Sequence, residues 1–408
     1  MTGRGGDLRR FRPLVWLAPV AALAAVLTGP YLGVRQIAEA GGADAFIYDA
    51  SYYVGAAERP PTALYADPEY VYPPPSRVVV APFGWLGLQA TLGLWMALNA
   101  LLLGGGAWLA VRLWERAHER LPTAVRWALV AVAVGSGPAF QTLKYGQVNA
   151  LVLWSGLGFL WLLARGRPFW AVVALCGGFW LKLYPILLLP LALARDTWRR
   201  GAAGLAVGIA GIPLALAPWI PLRLYAEFFG GRLPAWSGLT SQGALNQSVV
   251  GVATRLTLPT EAALRALDVP APTWARGLAL MVLAVGGAAV VLAVWTGRLE
   301  RARGGVLLLA LVPVVSPLGW EHAYVLGLPL LLWALVEVRE HSGAVPVVTA
   351  AAVLLMVPRP PARVLIWWVE TVPAALVHAL NARMLLATVV LGVLVARWCP
   401  RPAARALP

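Results

Sequence analysis

The chain has 408 residues, of which 60% are hydrophobic and 12% charged, and carries a formal net charge of +15. A soluble domain is typically about 25% charged, so this composition excludes an ordinary cytosolic enzyme. Apolar runs of about 20 residues recur along the whole length, the length needed to cross a hydrocarbon core of about 30 Å. The basic excess marks membrane topology rather than nucleic-acid binding.

In chain order, spans are predicted near 13–34, 90–113, 127–143, 148–164, 168–182, 184–195, 202–220, 274–297, 305–317, 323–338, 344–357 and 381–397. The first begins "RRFRPLVWLAPVAALAAVL", too long and without the cleavage site of a signal peptide, and reads as an uncleaved span. A shorter apolar piece, 76–88, is too short to cross and is expected to be a half-buried helix. Pro185, Pro190, Pro313 and Pro317 interrupt several segments. Broken helices are tolerated where they line a cavity. Gly204 and Gly208 have the spacing that lets two helices pack closely.

With the N-terminus inside, 20 of the 33 basic residues fall in short inner connections. Both termini are then cytoplasmic, and the long loops, about 35–89, 221–273 and 358–380, lie outside. The expected fold is an all-α integral membrane bundle of about 10–13 spans, a single domain over 1–408 with a cavity on its outer face. Cys176 and Cys399 are far apart, so neither a disulfide nor a thiol site is expected. His118, His322, His341 and His378 show no ligand spacing, so no metal is expected. No glycine-rich phosphate loop follows a strand, and no other cofactor is expected.

The unusual polar residues collect on the outer side. They are Asp44 and Asp49 in "GGADAFIYDASYY", Tyr70 and Tyr72 in "YVYPPPS", and Lys144, Gln147 and Asn149 in "QTLKYGQVN". Lys182 follows in "WLKLYP", then Asn246, Gln247 and Arg255 in "LNQSVVGVATR", and Glu321 and His322 in "SPLGWEHAY". Polar groups at membrane depth tend to face a pathway or cavity. Lys144 and Lys182, the two lysines of the chain, both fall at outer span ends, where a compact ammonium suits a phosphate.

Taken in order, "DAFIY", "YVYPPP", "YGQVN", "KLYP", "NQS" and "SPLGWEH" resemble glycosyltransferase family 87, membrane enzymes of the GT-C superfamily. Where the family often has a second His after "WEH", this chain has Ala323. The resemblance implies inverting transfer of a sugar from a polyprenyl phosphate to a glycolipid or glycan acceptor, outside the cytoplasm of a prokaryotic plasma membrane. Mannose is the first expectation for the sugar. The alternatives are an arabinofuranosyltransferase of the same type, or a transporter or flippase of lipid-linked sugars. The resemblance makes Asp44 the general base. A phosphate leaving group asks for cations more than for a second acid, so one carboxylate suffices. Lys182, Lys144 and Arg255 are the candidate phosphate ligands. Asp49, Tyr70, Tyr72, Gln147, Asn149, Asn246, Gln247, Glu321 and His322 are candidates for substrate contact.

Overall fold

The computed structural model describes residues 48–67, 70–79, 81, 86, 88–194, 196–241, 243, 246–258, 268–356 and 382–398. The protein is largely helical. Helix α1 (Tyr48–Glu58) is followed by 3-10 turns at Pro61–Ala66 and Pro74–Val78 and by the long α2 (Leu88–Ala117). Next come α3 (Thr123–Val134), α4 (Gly137–Tyr145), α5 (Asn149–Ala164) and α6 (Pro168–Phe179). A 3-10 segment, Tyr184–Leu191, leads to α7 (Trp198–Ala206), which runs through a π turn at Val207–Gly211 into α8 (Ile212–Leu216). Short helices α9 (Arg223–Glu227) and α10 (Leu233–Ser237) flank a second π turn. Strand β1 (Leu239–Ser241) pairs antiparallel with β2 (Asp268–Pro270), and α11 (Val249–Leu256) lies between them. The remainder is α12 (Thr273–Trp295), α13 (Arg301–Val315), a 3-10 turn at Glu321–Gly327, α14 (Leu328–Glu337), α15 (Val345–Met356) and α16 (Arg383–Arg397).

Among the described residues, three helices are long and apolar enough to cross a membrane: Ala90–Ala117, Thr273–Trp295 and Glu321–Glu340. The pair α3 and α4 makes a fourth if its 53° bend is counted as one broken span. This is fewer than the 10–13 spans the hydropathy predicts. The reason is that several apolar runs are cut short. Helix α5 ends after 16 residues and α6 after 12; at a rise of 1.5 Å per residue these reach about 24 and 18 Å. Pro168 opens α6 at its first turn, where a missing N–H is harmless. Pro190 stands inside a 3-10 segment in place of the predicted 184–195 span. The predicted first span, 13–34, lies outside the described residues, as does the C-terminal outer loop.

The chain is an integral-membrane protein. Helix α12 shows why: Leu280, Met281, Val285 and Leu292 are all exposed on it, a surface that only lipid accommodates. Residues Glu321–Val338, by contrast, are all buried among their neighbours. The close glycine packing read from the sequence is present. A Cβ at Gly204 would stand 2.5 Å from the Phe169 carbonyl oxygen, and one at Gly208 2.5 Å from Cys176 Sγ. Helix α7 and its π turn therefore press directly on α6.

Two apolar clusters organise the protein. The larger fills the bundle between α2, α5, α13, α14 and α16. The smaller is aromatic, built from Tyr53, Tyr65, Tyr70, Tyr72, Trp95, Trp180 and Phe228. It holds α1 and the Tyr70–Ser76 loop against the helices.

Candidate functional site

A cavity of about 610 Å³ opens where α1, the α4–α5 turn, the loop after α6, α10 and the Ser316–Ala323 segment meet. Six of the sequence candidates line it: Asp49, Tyr72, Gln147, Lys182, Glu321 and His322. They come from stretches up to 273 positions apart in the chain (Asp49 to His322).

The α4–α5 turn explains why "YGQVN" matters. Ser136 caps α4, accepting from the Ala139 N–H. Gly146 ends it at φ 64°, a left-handed conformation that favours glycine. The reversal brings Gln147 out between two helices and buries it. Trp95 Nε1 donates to the Gly146 carbonyl at 2.6 Å and fixes the turn against α2. Asn149, on the next turn, donates through Nδ2 to the His322 carbonyl at 3.0 Å, and Thr142 Oγ1 donates to the same oxygen at 3.1 Å. Asn149 thus lies beneath the wall and sets the backbone of His322.

On one wall, Lys182 Nζ donates to Gln147 Oε1 at 2.8 Å. Gln147 Nε2 lies 3.4 Å from the Tyr72 hydroxyl, which donates to Asp49 Oδ1 at 3.0 Å. Lys182 also stands over the Tyr72 ring, 5.5 Å from its centroid. An ammonium and a carboxylate are therefore linked through two neutral side chains. Helix α6 stops at Phe179, so Lys182 falls in the following turn rather than within a span.

Burial raises the Asp49 carboxyl above the usual carboxylate range, opposed by the Lys182 charge and by hydrogen bonds from Gln147 and Tyr72. Burial likewise lowers Lys182 to about 8, opposed by the charge of Asp49. Both side chains are half-buried and face the cavity, so water there softens these shifts. Burial pushes the Tyr72 hydroxyl upward, and it stays a donor to Asp49.

Glu321 and His322 belong to the same lining. Glu321 Oε1 accepts from Arg383 Nη2 at 2.6 Å, and Oε2 accepts from Gln141 Nε2 at 3.2 Å. The sequence reading missed Arg383 as a site residue, because it lies 62 positions from its partner. It also passed over Tyr52, Tyr145, Trp236 and Trp320, which line the cavity. Of these, Tyr145 lies inside a motif already quoted, and its ring meets His322 edge-on at 5.9 Å.

The other candidates lie off the cavity wall. Arg255 is buried and donates through Nη1 to the carbonyls of Gly243 and Asn246 at 2.8 and 2.6 Å, so it braces a loop. Asn246 holds the same joint: its Nδ2 reaches Thr240 Oγ1 and the carbonyls of Ser241 and Pro317, and its Oδ1 accepts from Ser248. Gln247 pairs its N–H with the Gly319 carbonyl at 2.9 Å and accepts at Oε1 from the Met384 N–H at 3.2 Å. These contacts make "NQS" the support of the turn that presents Glu321 and His322. Tyr70 is core, its hydroxyl 2.6 Å from Ser76 Oγ. Lys144 stands over the Tyr145 ring at 5.0 Å and is not part of the cavity wall. Asp44 lies outside the described residues. Among the described residues no three His, Cys, Asp or Glu side chains come together as a metal site.

The profile of glycosyltransferase family 87 matches residues 70–317. The chain is also similar to an alpha-(1->3)-arabinofuranosyltransferase of Mycobacterium tuberculosis (strain CDC 1551 / Oshkosh), 29% identical over 210 residues. That covers 48% of this chain and 44% of the relative. It is similar to a polyprenol-phosphate-mannose-dependent alpha-(1-2)-phosphatidylinositol mannoside mannosyltransferase of Mycobacterium tuberculosis (strain ATCC 25618 / H37Rv). Here identity is 27% over 329 residues, 73% of this chain and 71% of the relative. A Mycolicibacterium smegmatis enzyme of the second kind, acting on the pentamannoside, is 27% identical over 72% of this chain and 67% of its own. The chain spans less than half the length of the arabinofuranosyltransferases it matches. The profile covers well over half of the chain, and the chain belongs to glycosyltransferase family 87.

Proposed function

We propose that this protein transfers a sugar from a polyprenyl-phosphate donor to a hydroxyl of a glycan or glycolipid acceptor. It works as a single transmembrane domain of GT-C type, at the outer face of the plasma membrane, with both termini cytoplasmic. Arabinofuranose is the favoured sugar, since the arabinofuranosyltransferases carry the higher identity, 29–30% against 27%. This replaces mannose as the first choice. Mannose stands as the second reading because similarity to the mannosyltransferases runs over 73% of the chain.

The observation that carries the reading is the wall where Lys182 and Asp49 are joined through Gln147 and Tyr72. In the reaction, the bond from the anomeric carbon to the phosphate oxygen breaks, and its electron pair stays on the phosphate. The Lys182 ammonium, exchanging Gln147 Oε1 for a phosphate oxygen, stabilises that charge. The acceptor oxygen attacks the opposite face of the carbon, which inverts it, and its proton passes to a carboxylate. By resemblance that carboxylate is Asp44. Asp49, five residues on, orients Tyr72 and balances Lys182 until the phosphate arrives. The second assignment gives the proton to Asp49 itself, which its place on the wall and its raised affinity for protons favour.

The test is purified full-length chain in detergent with an octyl glycoside acceptor series and either polyprenyl-phosphate arabinofuranose or polyprenyl-phosphate mannose. Product from the arabinofuranosyl donor supports the first reading. Product from the mannosyl donor alone moves the assignment to the second, and no product from either overturns the proposal.

A further inference from the structure

We propose that Gln141 reads a neutral sugar hydroxyl in this cavity, with Arg383 and Glu321 as the residues that position it. The proposal rests on the reading of the cavity as a sugar-transfer site. Gln141 lines the cavity, yet is only 5% exposed. Its Nε2 donates to Glu321 Oε2. Because a carboxylate oxygen accepts and the amide nitrogen donates, this contact fixes which way the amide faces. Its Oε1 is consequently turned away from Glu321, and it is buried with no hydrogen-bond partner among the described residues. A buried acceptor left unpaired is costly, and in a native site such an atom calls for a ligand or a water.

The Glu321–Arg383 pair keeps that orientation. Glu321 is 1% exposed and Arg383 5%, so little water competes for either. The backbone is fixed as well, since the His322 carbonyl accepts from both Thr142 and Asn149. Arg383 stands at the first turn of α16, whose Met384 N–H is held by Gln247. Three separate segments thus converge to aim one amide.

The chemistry offered by Lys182 and by Gln141 differs. Lys182 presents a cation that suits a phosphate. The Gln141 amide nitrogen is taken by Glu321, and what this side chain has left to offer is an acceptor oxygen. A phosphate diester has no proton to give it, whereas a sugar hydroxyl has. This assigns the lipid phosphate to Lys182 and a hydroxyl-bearing ring to Gln141.

Binding without turnover separates this claim from the proposed reaction. The full-length chain in detergent is titrated with octyl arabinofuranoside and octyl mannopyranoside, with their monodeoxy analogues, and with a sugar-free polyprenyl phosphodiester. In the wild type, one monodeoxy analogue of the tighter-binding glycoside binds about tenfold more weakly than its parent, the scale of a hydrogen bond lost at a buried acceptor. In Gln141→Met that difference disappears, while affinity for the phosphodiester stays within about twofold. Gln141→Asn, which keeps an amide but withdraws it by one methylene, serves if the Met variant does not fold, with the same expectation. Arg383→Lys restores part of the discrimination that Arg383→Met loses. Equal binding of every deoxy analogue to the wild type overturns the proposal. So does a deoxy penalty that persists in both Gln141 variants. Failure of transfer from every lipid donor, with these binding differences intact, rejects the reaction and leaves the subsite standing.

Discussion

Lys182 donates from Nζ to Oε1 of Gln147 at 2.8 Å, bridging the loop after α6 to the α4–α5 turn. The lysine is thereby aimed before any donor arrives, and its charge is met by a neutral oxygen rather than neutralised in an ion pair. A phosphate oxygen can replace that contact directly. Lys182→Met is predicted to weaken binding of a polyprenyl phosphodiester by about 10- to 150-fold, the equivalent of roughly 1.5–3 kcal/mol for a hydrogen bond to a charged group. Titration of the detergent-purified variant checks this. An affinity equal to wild type removes Lys182 from the phosphate site.

The same residue sets a pH dependence. Its proton affinity is lowered by burial to about 8. The ammonium is therefore fully present below that value and is lost as pH rises through it. Binding of a phosphodiester, whose own charge is constant over this range, is predicted to fall between about pH 8 and pH 10. Bound phosphate raises the lysine's proton affinity, so the fall is shallower at saturating ligand. In Lys182→Arg the decline disappears, because a guanidinium stays charged throughout. A wild-type affinity that is flat from pH 7 to pH 10 contradicts the assignment.

Asp44 and Asp49 separate by their effects on the chemical step. Asp44→Asn is predicted to lower kcat by about 10²- to 10⁴-fold, as removal of a positioned base does, while the phosphodiester affinity is retained. Asp49→Asn keeps a partner for the Tyr72 hydroxyl but withdraws the charge that supports Lys182. It is predicted to move the pH midpoint of donor binding downward, with a smaller loss in kcat. The converse pattern, in which Asp49→Asn stops turnover and Asp44→Asn does not, transfers the base role to Asp49.

A buried ion pair away from the cavity ties the bundle together. Arg303 donates to both oxygens of Glu337 at 2.7 and 2.8 Å and to the Val395 carbonyl at 2.9 Å. Trp114 Nε1 also donates to Glu337, at 3.1 Å. Arg303→Met strands a buried carboxylate and is predicted to cost about 3–5 kcal/mol, whereas replacing both partners by apolar residues of similar volume costs much less. Thermal unfolding in detergent of the two single variants and the double variant measures this. Additive losses contradict a coupled pair.

How far the sequence discloses this protein depends on what kind of signal each feature leaves. The membrane class and the close packing of α7 on α6 are legible, because hydropathy and the Gly204–Gly208 spacing are local. The site is legible as an ordered set of motifs, and six of the candidates do meet in one cavity. Asn246, Gln247 and Arg255 share the same polar signature, but the loop around "NQS" satisfies them with backbone carbonyls, hydroxyls and N–H groups. Residue type alone does not distinguish a polar joint from a polar wall. Arg383 was invisible because its meaning comes from Glu321, across a long separation in the chain. Among the described residues fewer helices are long enough to cross than hydropathy predicts, because hydropathy registers apolar length and not where proline interrupts a helix.

The central claim is that the sugar comes from a lipid phosphate. The direct measurement uses purified full-length protein, free of polyprenol, with an octyl glycoside acceptor. It receives a nucleotide sugar in one reaction and the polyprenyl-phosphate form of the same sugar in another, and product is quantified by mass spectrometry. Product from the lipid-phosphate donor, reduced in Lys182→Met and absent with the nucleotide sugar, is the predicted result. Product formed from the nucleotide sugar with no polyprenol present would contradict the account.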